Sequence, residues 1–355
     1  MGEHREETGK VISGGSSLKI LLVGDFSDNY DEGLKNIAKY FYEHLCQRND
    51  VKKINVKNLF TNETYSVITG FDPDIIHYFT GPTCSSLALL RALSIRWSHS
   101  KTIVSALHPR TSVLSRNYIL RRALGSVAKA DILLYQDSSM CLTDLSSELI
   151  YLPNGVNINK FKPVSKVEKD KLRKKYGVDE SKFVLTHVGH LFQRRNLELL
   201  IELQQNNPNY QVVIVAGTYV SRDADLLEKL RQGGCTVITG YLEHVEDVYR
   251  LSDCYVFPVL LGNSISLPLS VLEAMACNLP VISINYPALS VFSNVQGFYW
   301  VEGPQAIISA ADEVYTKFVN GERVDTRQEV LPYSWENVVA GLENIYLNSV
   351  GGSHE

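Results

Sequence analysis

Short apolar runs alternate with amphipathic segments along most of this chain. The first run, "LKILLVGD" (18–25), is typical of a buried parallel strand that ends in glycine. The segment "GLKNIAKYFYEHL" (33–45) carries its apolar residues on one helical face. Further strands are predicted at "KKINV", "DIIHYF", "TIVSAL" and "DILLYQ". Alternation of this kind favours a doubly wound parallel sheet.

The alternation stops and then starts again, which predicts a second domain. After "IYLPNGVNINKFKP" (150–163) comes a charged stretch, and five new strands follow it: "FVLTHVGH", "YQVVIVAG", "CTVITG", "DCYVFP" and "LPVISI". The run "VLTHVGH" repeats the position and character of "ILLVGD". We therefore expect an α/β protein with two Rossmann-like parallel-sheet domains.

The predicted domain organisation has four parts. A polar tail (1–17) without an apolar signal-peptide region is followed by one Rossmann-like domain (18–160) and then by another (161–332). The last helix (333–350) is expected to pack back on the first domain. The 355 residues suffice for two separate cores, and no apolar run approaches the roughly 18 residues that span a membrane.

Charge and cysteine content narrow the class of protein. The formal net charge of −4 gives the chain no overall attraction to nucleic acid, and no nucleic-acid-binding module is recognised. The six cysteines are scattered without C-x-x-C pairs or metal-ligand spacing, as in proteins of a reducing compartment. We predict a cytoplasmic protein that binds no metal.

The stretch "GNSISLPLSVLEAMACNLPVIS" (262–283) predicts a polar loop, a short helix and a buried strand. Free N–H groups at the start of such a helix favour anions, and Pro268 is tolerated there. Glu273 stands alone in the apolar helix, where its carboxylate could accept hydrogen bonds from a ribose diol. The alternative is that Glu273 pairs with a base or caps a loop. Asn278 occupies the helix-ending position that favours a left-handed backbone.

Two arginines precede a helix in "VGHLFQRRNLELL" (188–200). A strand is predicted to end at Gly189, and Arg194 and Arg195 follow in the loop. Guanidinium groups at a strand–loop–helix corner suit a diphosphate, because each can bind two oxygens. Solvated surface arginines are the alternative.

Three further candidates sit at strand ends or helix starts. His108 follows the strand in "TIVSALHPRTS", where ligand contacts are usual in parallel sheets. His77 is similarly placed in "DIIHYFTGP", but a satisfied core histidine is favoured there. The acids of "DAD" (223–225) resemble a D-x-D metal motif, yet they open a helix, where acids stabilise the first turn.

Between Asp74 and Asp131 the chain has no acidic residue but eight basic ones. They are Arg91, Arg96, Lys101, Arg110, Arg116, Arg121, Arg122 and Lys129. They alternate with apolar and aromatic residues on predicted helices, a pattern that suits an anionic membrane surface or a phosphorylated acceptor. The predicted surface comprises residues 85–129. An ordinary basic face is the alternative.

Taken together and in order, these motifs resemble the family-four retaining glycosyltransferases of the GT-B fold. The resemblance extends from Leu18 to Val350 and rests on "GLKNIAKYFYEHL", "DIIHYF", "ADILLYQDSS", "IYLPNGVNINKFKP", "VGHLFQRRN", "VIVAG", "LPLSVLEAMACNLPVI" and "SWENV". It implies two Rossmann-like domains facing a central cleft, with a nucleotide-diphospho-sugar donor on the second domain and an acceptor on the first. The donor is a co-substrate, and no other cofactor is expected.

The resemblance also assigns roles to residues. Glu273 would hold the donor ribose, Arg195 the diphosphate and His108 the transferred sugar, and these three form the catalytic set. The donor-binding set implied by the resemblance is Gly33, Gly189, His190, Arg194, Arg195, Gly240, Ser266, Leu267 and Glu273. The expected reaction is metal-independent sugar transfer with retention of configuration.

Two positions depart from the family pattern and define the alternatives. The family's first glutamate is Ile265 here, and the arginine usual after Gly189 is His190. A glycosyltransferase-like subunit that binds a nucleotide or a partner protein without turnover is therefore the first alternative. A sugar-nucleotide epimerase is the second. A dehydrogenase is disfavoured, since the first strand lacks G-x-G-x-x-G after it.

Overall fold

The computed structural model describes residues 17–26, 33–107, 114, 116–136, 142–192, 195–217, 223–260 and 267–351. Within these ranges the chain forms two six-stranded sheets in which all paired strands are parallel, and helices flank both sheets. The α/β fold with two Rossmann-like domains that the alternation predicts is thus confirmed.

The first sheet has the strand order β2-β1-β3-β4-β5-β6. Its strands are β1 (Lys19–Gly24), β2 (Asp50–Asn55), β3 (Ile75–Gly81), β4 (Lys101–Ala106), β5 (Ala130–Tyr135) and β6 (Ser146–Tyr151). Its helices are α1 (Gly33–Leu45), α2 (Asn62–Gly70), α3 (Cys84–Arg96) and α4 (Tyr118–Val127). Ile20 and Leu22 of β1 enter one hydrophobic cluster, and Leu21 and Val23 enter another. Because alternate side chains point to opposite faces, the uninterrupted apolar run of β1 fills both layers.

The second sheet has the order β12-β11-β10-β7-β8-β9. Its strands are β7 (Phe183–Gly189), β8 (Tyr210–Ala216), β9 (Thr236–Thr239), β10 (Cys254–Phe257), β11 (Val281–Ile284) and β12 (Phe298–Val301). The helices are α5 (Lys166–Lys175), α6 (Leu199–Asn206), α7 (Ala224–Gln232), α8 (Glu246–Leu251), α9 (Leu269–Ala276), α10 (Ala306–Val319) and α11 (Thr326–Val330). From β7 the chain adds β8 and β9 on one side of the sheet, and from β10 it adds β11 and β12 on the other side. The strand order therefore reverses between β7 and β10. Ligands of doubly wound sheets bind at the carboxyl ends of strands at such a switch point.

The last helix, α12 (Trp335–Gly351), packs on the first domain. Trp335 stacks on Tyr40 of α1 with ring centroids 4.9 Å apart, and Leu342 and Tyr346 are fully buried. A Cβ at Gly155 would lie 2.4 Å from the Trp335 ring, so only glycine lets the connecting segment pass this close. The chain therefore crosses twice between the domains, at the segment around Gly155 and before Trp335.

His77 is a satisfied core histidine, as the sequence favours. It is fully buried, with Nδ1 2.6 Å from the hydroxyl of Tyr346 and Nε2 2.8 Å from the hydroxyl of Ser105. Burial lowers its pKa to about 3, so the ring is neutral at physiological pH. His77 thus ties α12 to the first sheet and is not available to a ligand.

Two amide side chains join the domains at the start of α9. Gln136 donates to Asn154 over 2.6 Å, and Asn154 donates to the carbonyl of Leu267 over 2.7 Å. The N–H of Leu267 donates back to the Gln136 carbonyl oxygen over 3.3 Å. All three residues are buried. The ring of bonds satisfies the backbone of Leu267 and fixes the position of α9 against the first domain.

Candidate functional site

The guanidinium of Arg195 lies beside Gly189, the last residue of β7. A Cβ placed at Gly189 would lie 2.7 Å from Nη1 of Arg195 and 3.0 Å from Nε2 of His187. Any larger residue at 189 would therefore displace one of these groups. Asn196, which follows Arg195, adopts a left-handed backbone with φ 57°, which asparagine tolerates better than most residues.

Arg195 is a partly buried cation without a carboxylate partner among the described residues. Its Nε is buried and makes no hydrogen bond to any of them. Burial lowers the pKa of the guanidinium, and the nearby phenols of Tyr255 and Tyr286 act in the opposite direction. A guanidinium remains charged even so. A guanidinium at a strand end is chemically suited to bind an anion.

Glu273 lies half-buried in α9, which begins after Pro268 (φ −66°). The hydroxyl of Tyr249 donates to Oε2 over 2.7 Å. Burial raises the pKa of the carboxyl to about 7, while the Tyr249 bond and the charge of Lys160 lower it and Glu246 raises it. No ion pair of Glu273 occurs among the described residues, so Oε1 keeps its capacity to accept hydrogen bonds.

Tyr255 of β10 is influenced by both charged groups. Its ring is 6.1 Å from that of His187, and its hydroxyl is 3.4 Å from the carbonyl oxygen of Val188. Burial raises the pKa of the phenol, Glu273 raises it further and Arg195 lowers it. Since both charges act on one hydroxyl, Arg195 and Glu273 both lie near Tyr255 at the switch point of the sheet. Sequence reasoning missed Tyr255, although a tyrosine inside the apolar strand "DCYVFP" was a signal.

Other members of the predicted donor set follow the carboxyl ends of strands in the same sheet. His190 lies near Gly217, the residue that follows β8. A Cβ at Gly217 would lie 3.1 Å from Nδ1 of His190. Gly240, after β9, has a φ of 114° and open space beside it. Leu267 has both backbone polar groups engaged by Gln136 and Asn154.

The remaining predicted site residues lie in the first domain or outside the described ranges. Gly33 is the first residue of α1, in the first domain. His108, Arg194 and Ser266 lie outside the described residues, as does Ile265. Their roles remain predictions.

The acids of "DAD" have a structural role in α7. Asp223 is the N-cap residue, and its side chain accepts from the N–H of Leu226 over 3.0 Å. This confirms the helix-start interpretation. Asn278 has a φ of 61° after α9, as its sequence position predicts. Within the described ranges, no group of three or more His, Cys, Asp or Glu side chains is arranged to hold a metal ion.

Sequence comparison links the second domain to a known family. Residues 168–317 match the family described as Glycosyl transferases group 1. The chain is 26% identical over 238 residues to the putative glycosyltransferase EpsD of Bacillus subtilis (strain 168), covering 61% of this chain and 60% of that protein. It is 23% identical over 142 residues to alpha-galactosylglucosyldiacylglycerol synthase of Streptococcus pneumoniae, covering 38% and 37%. The chain therefore spans less than two thirds of these curated relatives.

Structural comparison covers almost the whole chain. Sucrose-phosphate synthase from Thermosynechococcus elongatus superimposes with a TM-score of 0.74 at 14% identity, covering 95% of this chain and all of the other. HepE of Anabaena, crystallised with UDP and glucose, gives 0.70 at 13% identity, covering 92% and 99%. At these identities the likeness shows the fold, which is GT-B.

Proposed function

We propose that the chain is a retaining glycosyltransferase, because residues 168–317 match the Glycosyl transferases group 1 family and the chain has the GT-B fold. It moves a sugar from a nucleotide-diphospho-sugar to an acceptor. The observation that carries this proposal is that Arg195, at the carboxyl end of β7, and Glu273, in the helix after β10, are both near enough to Tyr255 to act on its pKa. A cation without a carboxylate partner and a carboxylate with spare acceptor capacity match a diphosphate next to a ribose.

Each end of the site has a defined chemical task in this proposal. Arg195 binds the diphosphate and stabilises the negative charge that develops on it as the sugar leaves. Glu273 accepts hydrogen bonds from the ribose diol. His108 contacts the transferred sugar from the first domain. The proposed reaction needs no metal, since the arginine and the amide groups at the helix start supply the stabilisation. The UDP and glucose bound by the structurally similar HepE support a nucleotide-sugar donor.

A thermal-shift screen of nucleoside diphosphates and their sugars tests donor binding. A true ligand at 100 times its dissociation constant stabilises the fold by about 2.7 kcal/mol. We expect one nucleotide base to give such a shift, and the donor sugar to be transferred with its anomeric configuration retained, as read by NMR of the product. The absence of any shift across the screen would contradict the proposal.

A non-catalytic nucleotide-binding subunit is the second candidate, and Ile265 favours it. Without the family's first glutamate, contacts to the donor sugar would be lost while the diphosphate site stays intact. A thermal shift without transfer or hydrolysis across a donor panel would support this candidate. An epimerase would change the sugar without consuming an acceptor, so product analysis separates the three functions.

The acceptor in this proposal is lipid-linked or phosphorylated, and the protein works at the inner face of the membrane. The support is α4 within the basic stretch, where Tyr118 is 54% and Ile119 80% exposed beside the exposed Arg122. Arg121 is not part of this surface, because it is buried and its Nε lies 2.6 Å from Asp144. Among the described residues, no helix has the length and apolarity needed to traverse a bilayer.

Vesicle sedimentation tests the membrane contact. Replacing Ile119 with serine and Arg122 with glutamine should weaken binding to vesicles that contain phosphatidylglycerol, by about fivefold for the lost charge alone. Arg231→Gln, an exposed position on α7 of the second domain, is the matched control and should bind as the parent protein does. Binding that ignores both the anionic lipid content and the α4 substitutions would contradict the contact.

A further inference from the structure

His187 has one ring nitrogen that is fixed and one that is not used. The residue is fully buried in β7, and its Nδ1 lies 2.9 Å from the carbonyl oxygen of Val256. A carbonyl oxygen can only accept, so Nδ1 carries a hydrogen whether or not the ring is charged. Nε2 is therefore the atom that titrates. It is buried and has no hydrogen-bond partner among the described residues.

Nε2 of His187, the nitrogen without a hydrogen-bond partner in the described part of the chain, lies near the guanidinium of Arg195 at the end of β7. A Cβ at Gly189 would lie 3.0 Å from Nε2 of His187 and 2.7 Å from Nη1 of Arg195. Both nitrogens therefore lie beside the same point at the strand end. Buried polar atoms are nearly always hydrogen-bonded, and an exception calls for a missing partner. A group that accepts from Arg195 and also engages Nε2 would satisfy both residues at once.

Among the residues that the structure describes, few charged or titratable groups face His187 from the elements packed around it. Arg195 lies on one side, Tyr255 of β10 stacks on the ring, and the paired residue of β8 is Ile214. Burial lowers the pKa of His187 to about 4, the Val256 bond raises it and the charge of Arg195 lowers it. The ligand-free ring is therefore neutral near pH 7, and its Nε2 lone pair faces a cation.

A bound diphosphate would favour the protonated form of His187 over the neutral form. It brings negative charge to the ring and offers oxygens that accept from a protonated Nε2, and both effects favour the imidazolium. We propose that His187 takes up a proton from solvent when the donor binds and becomes a second cation of the diphosphate site. This inference rests on the proposed function. It also gives the site a charge at the strand end, where His190 replaces the arginine of the family pattern.

Calorimetric titration in buffers of different ionisation enthalpy measures the proton uptake. The probe is UDP-, ADP- or GDP-glucose, whichever binds, because its diphosphate does not titrate near neutral pH. The comparison is between the parent protein and His187→Asn, whose amide can still donate to the Val256 carbonyl but cannot take a proton. His99→Asn, at an exposed histidine of the first domain, is the matched control.

At about pH 6 the parent protein and the control should take up more protons per ligand than His187→Asn, by up to about one. As the pH falls, the affinity of the parent relative to the variant should increase by up to about tenfold per pH unit. Equal proton counts with parallel pH profiles would overturn the role of His187 while leaving donor binding intact. A complete lack of binding by the parent protein would overturn the proposed function as well.

A second measurement does not depend on how the variant folds. Nitrogen NMR of histidine-labelled parent protein should show one ring nitrogen changing from the unprotonated to the protonated shift when the sugar nucleotide is added at about pH 6. If no histidine ring changes its protonation while the ligand binds, the inference is wrong.

Discussion

Replacing Arg195 with methionine is expected to weaken the binding of a nucleoside diphosphate by about 10- to 100-fold. Hydrogen bonds to charged groups contribute about 1.5–3 kcal/mol each, and, apart from the adjacent residues, Nη1 of Arg195 is the nearest described atom to a Cβ placed at Gly189, at the end of β7. Methionine keeps most of the apolar stem of arginine, so the packing around it changes little. Calorimetry with the nucleotide that stabilises the parent protein measures the loss.

The same substitution should not destabilise the ligand-free protein. Arg195 is a partly buried charge whose Nε makes no hydrogen bond among the described residues, so its removal relieves a desolvation cost. We expect an equal or higher melting temperature. Arg231→Met, an exposed arginine on α7, is the control and should leave both affinity and melting temperature unchanged. Unaltered affinity in Arg195→Met would show that the diphosphate binds elsewhere.

Replacing Glu273 with glutamine should weaken binding in a pH-dependent way. In the ligand-free protein the carboxyl has a pKa of about 7, so near this pH a large fraction is protonated. The ribose diol favours the carboxylate, which accepts both hydrogen bonds. The affinity of the parent relative to Glu273→Gln should therefore be greatest above pH 7 and fall by up to about tenfold per pH unit below it.

The ratio of the two affinities isolates Glu273, since His187 is common to both proteins. The probe is the same sugar nucleotide, measured by calorimetry between about pH 5 and pH 8. A ratio that stays constant with pH, or no loss of affinity in Glu273→Gln, would contradict the ribose assignment. The carboxyl also has a linkage to folding. Its raised pKa means that it contributes stability at acid pH that is lost as the pH rises through about 7.

Local sequence patterns predicted the features that depend on residues close together along the chain, such as buried strands and helix ends. Apolar runs such as that of β7 predicted the buried strands. The sequence positions of Asn278 and Asp223 predicted a left-handed backbone and a helix start, respectively. The edge strands β6 and β12 were not predicted, although the edge strands β2 and β9 were. β6 has mostly exposed or half-exposed positions, and β12 is only four residues long, so neither has the apolar run of a central strand.

Contacts between distant segments could not be predicted from the sequence. The bonds that join Leu267 to Asn154 and Gln136 span more than 100 residues of chain, and nothing in the local patterns pairs them. Arg121 looked like a member of the basic surface, yet a partner 23 residues away holds it in the interior. Tyr255 and His187 looked like core residues of their strands. Their place in the site follows from the switch point, which only the strand order shows.

A crystal structure of the protein with its stabilising nucleoside diphosphate would test the central claim most directly. The account predicts diphosphate oxygens within about 3.2 Å of the Arg195 guanidinium and ribose hydroxyls within the same distance of the Glu273 carboxylate. A nucleotide bound away from the carboxyl ends of β7 and β10, with Arg195 and Glu273 both untouched, would contradict it.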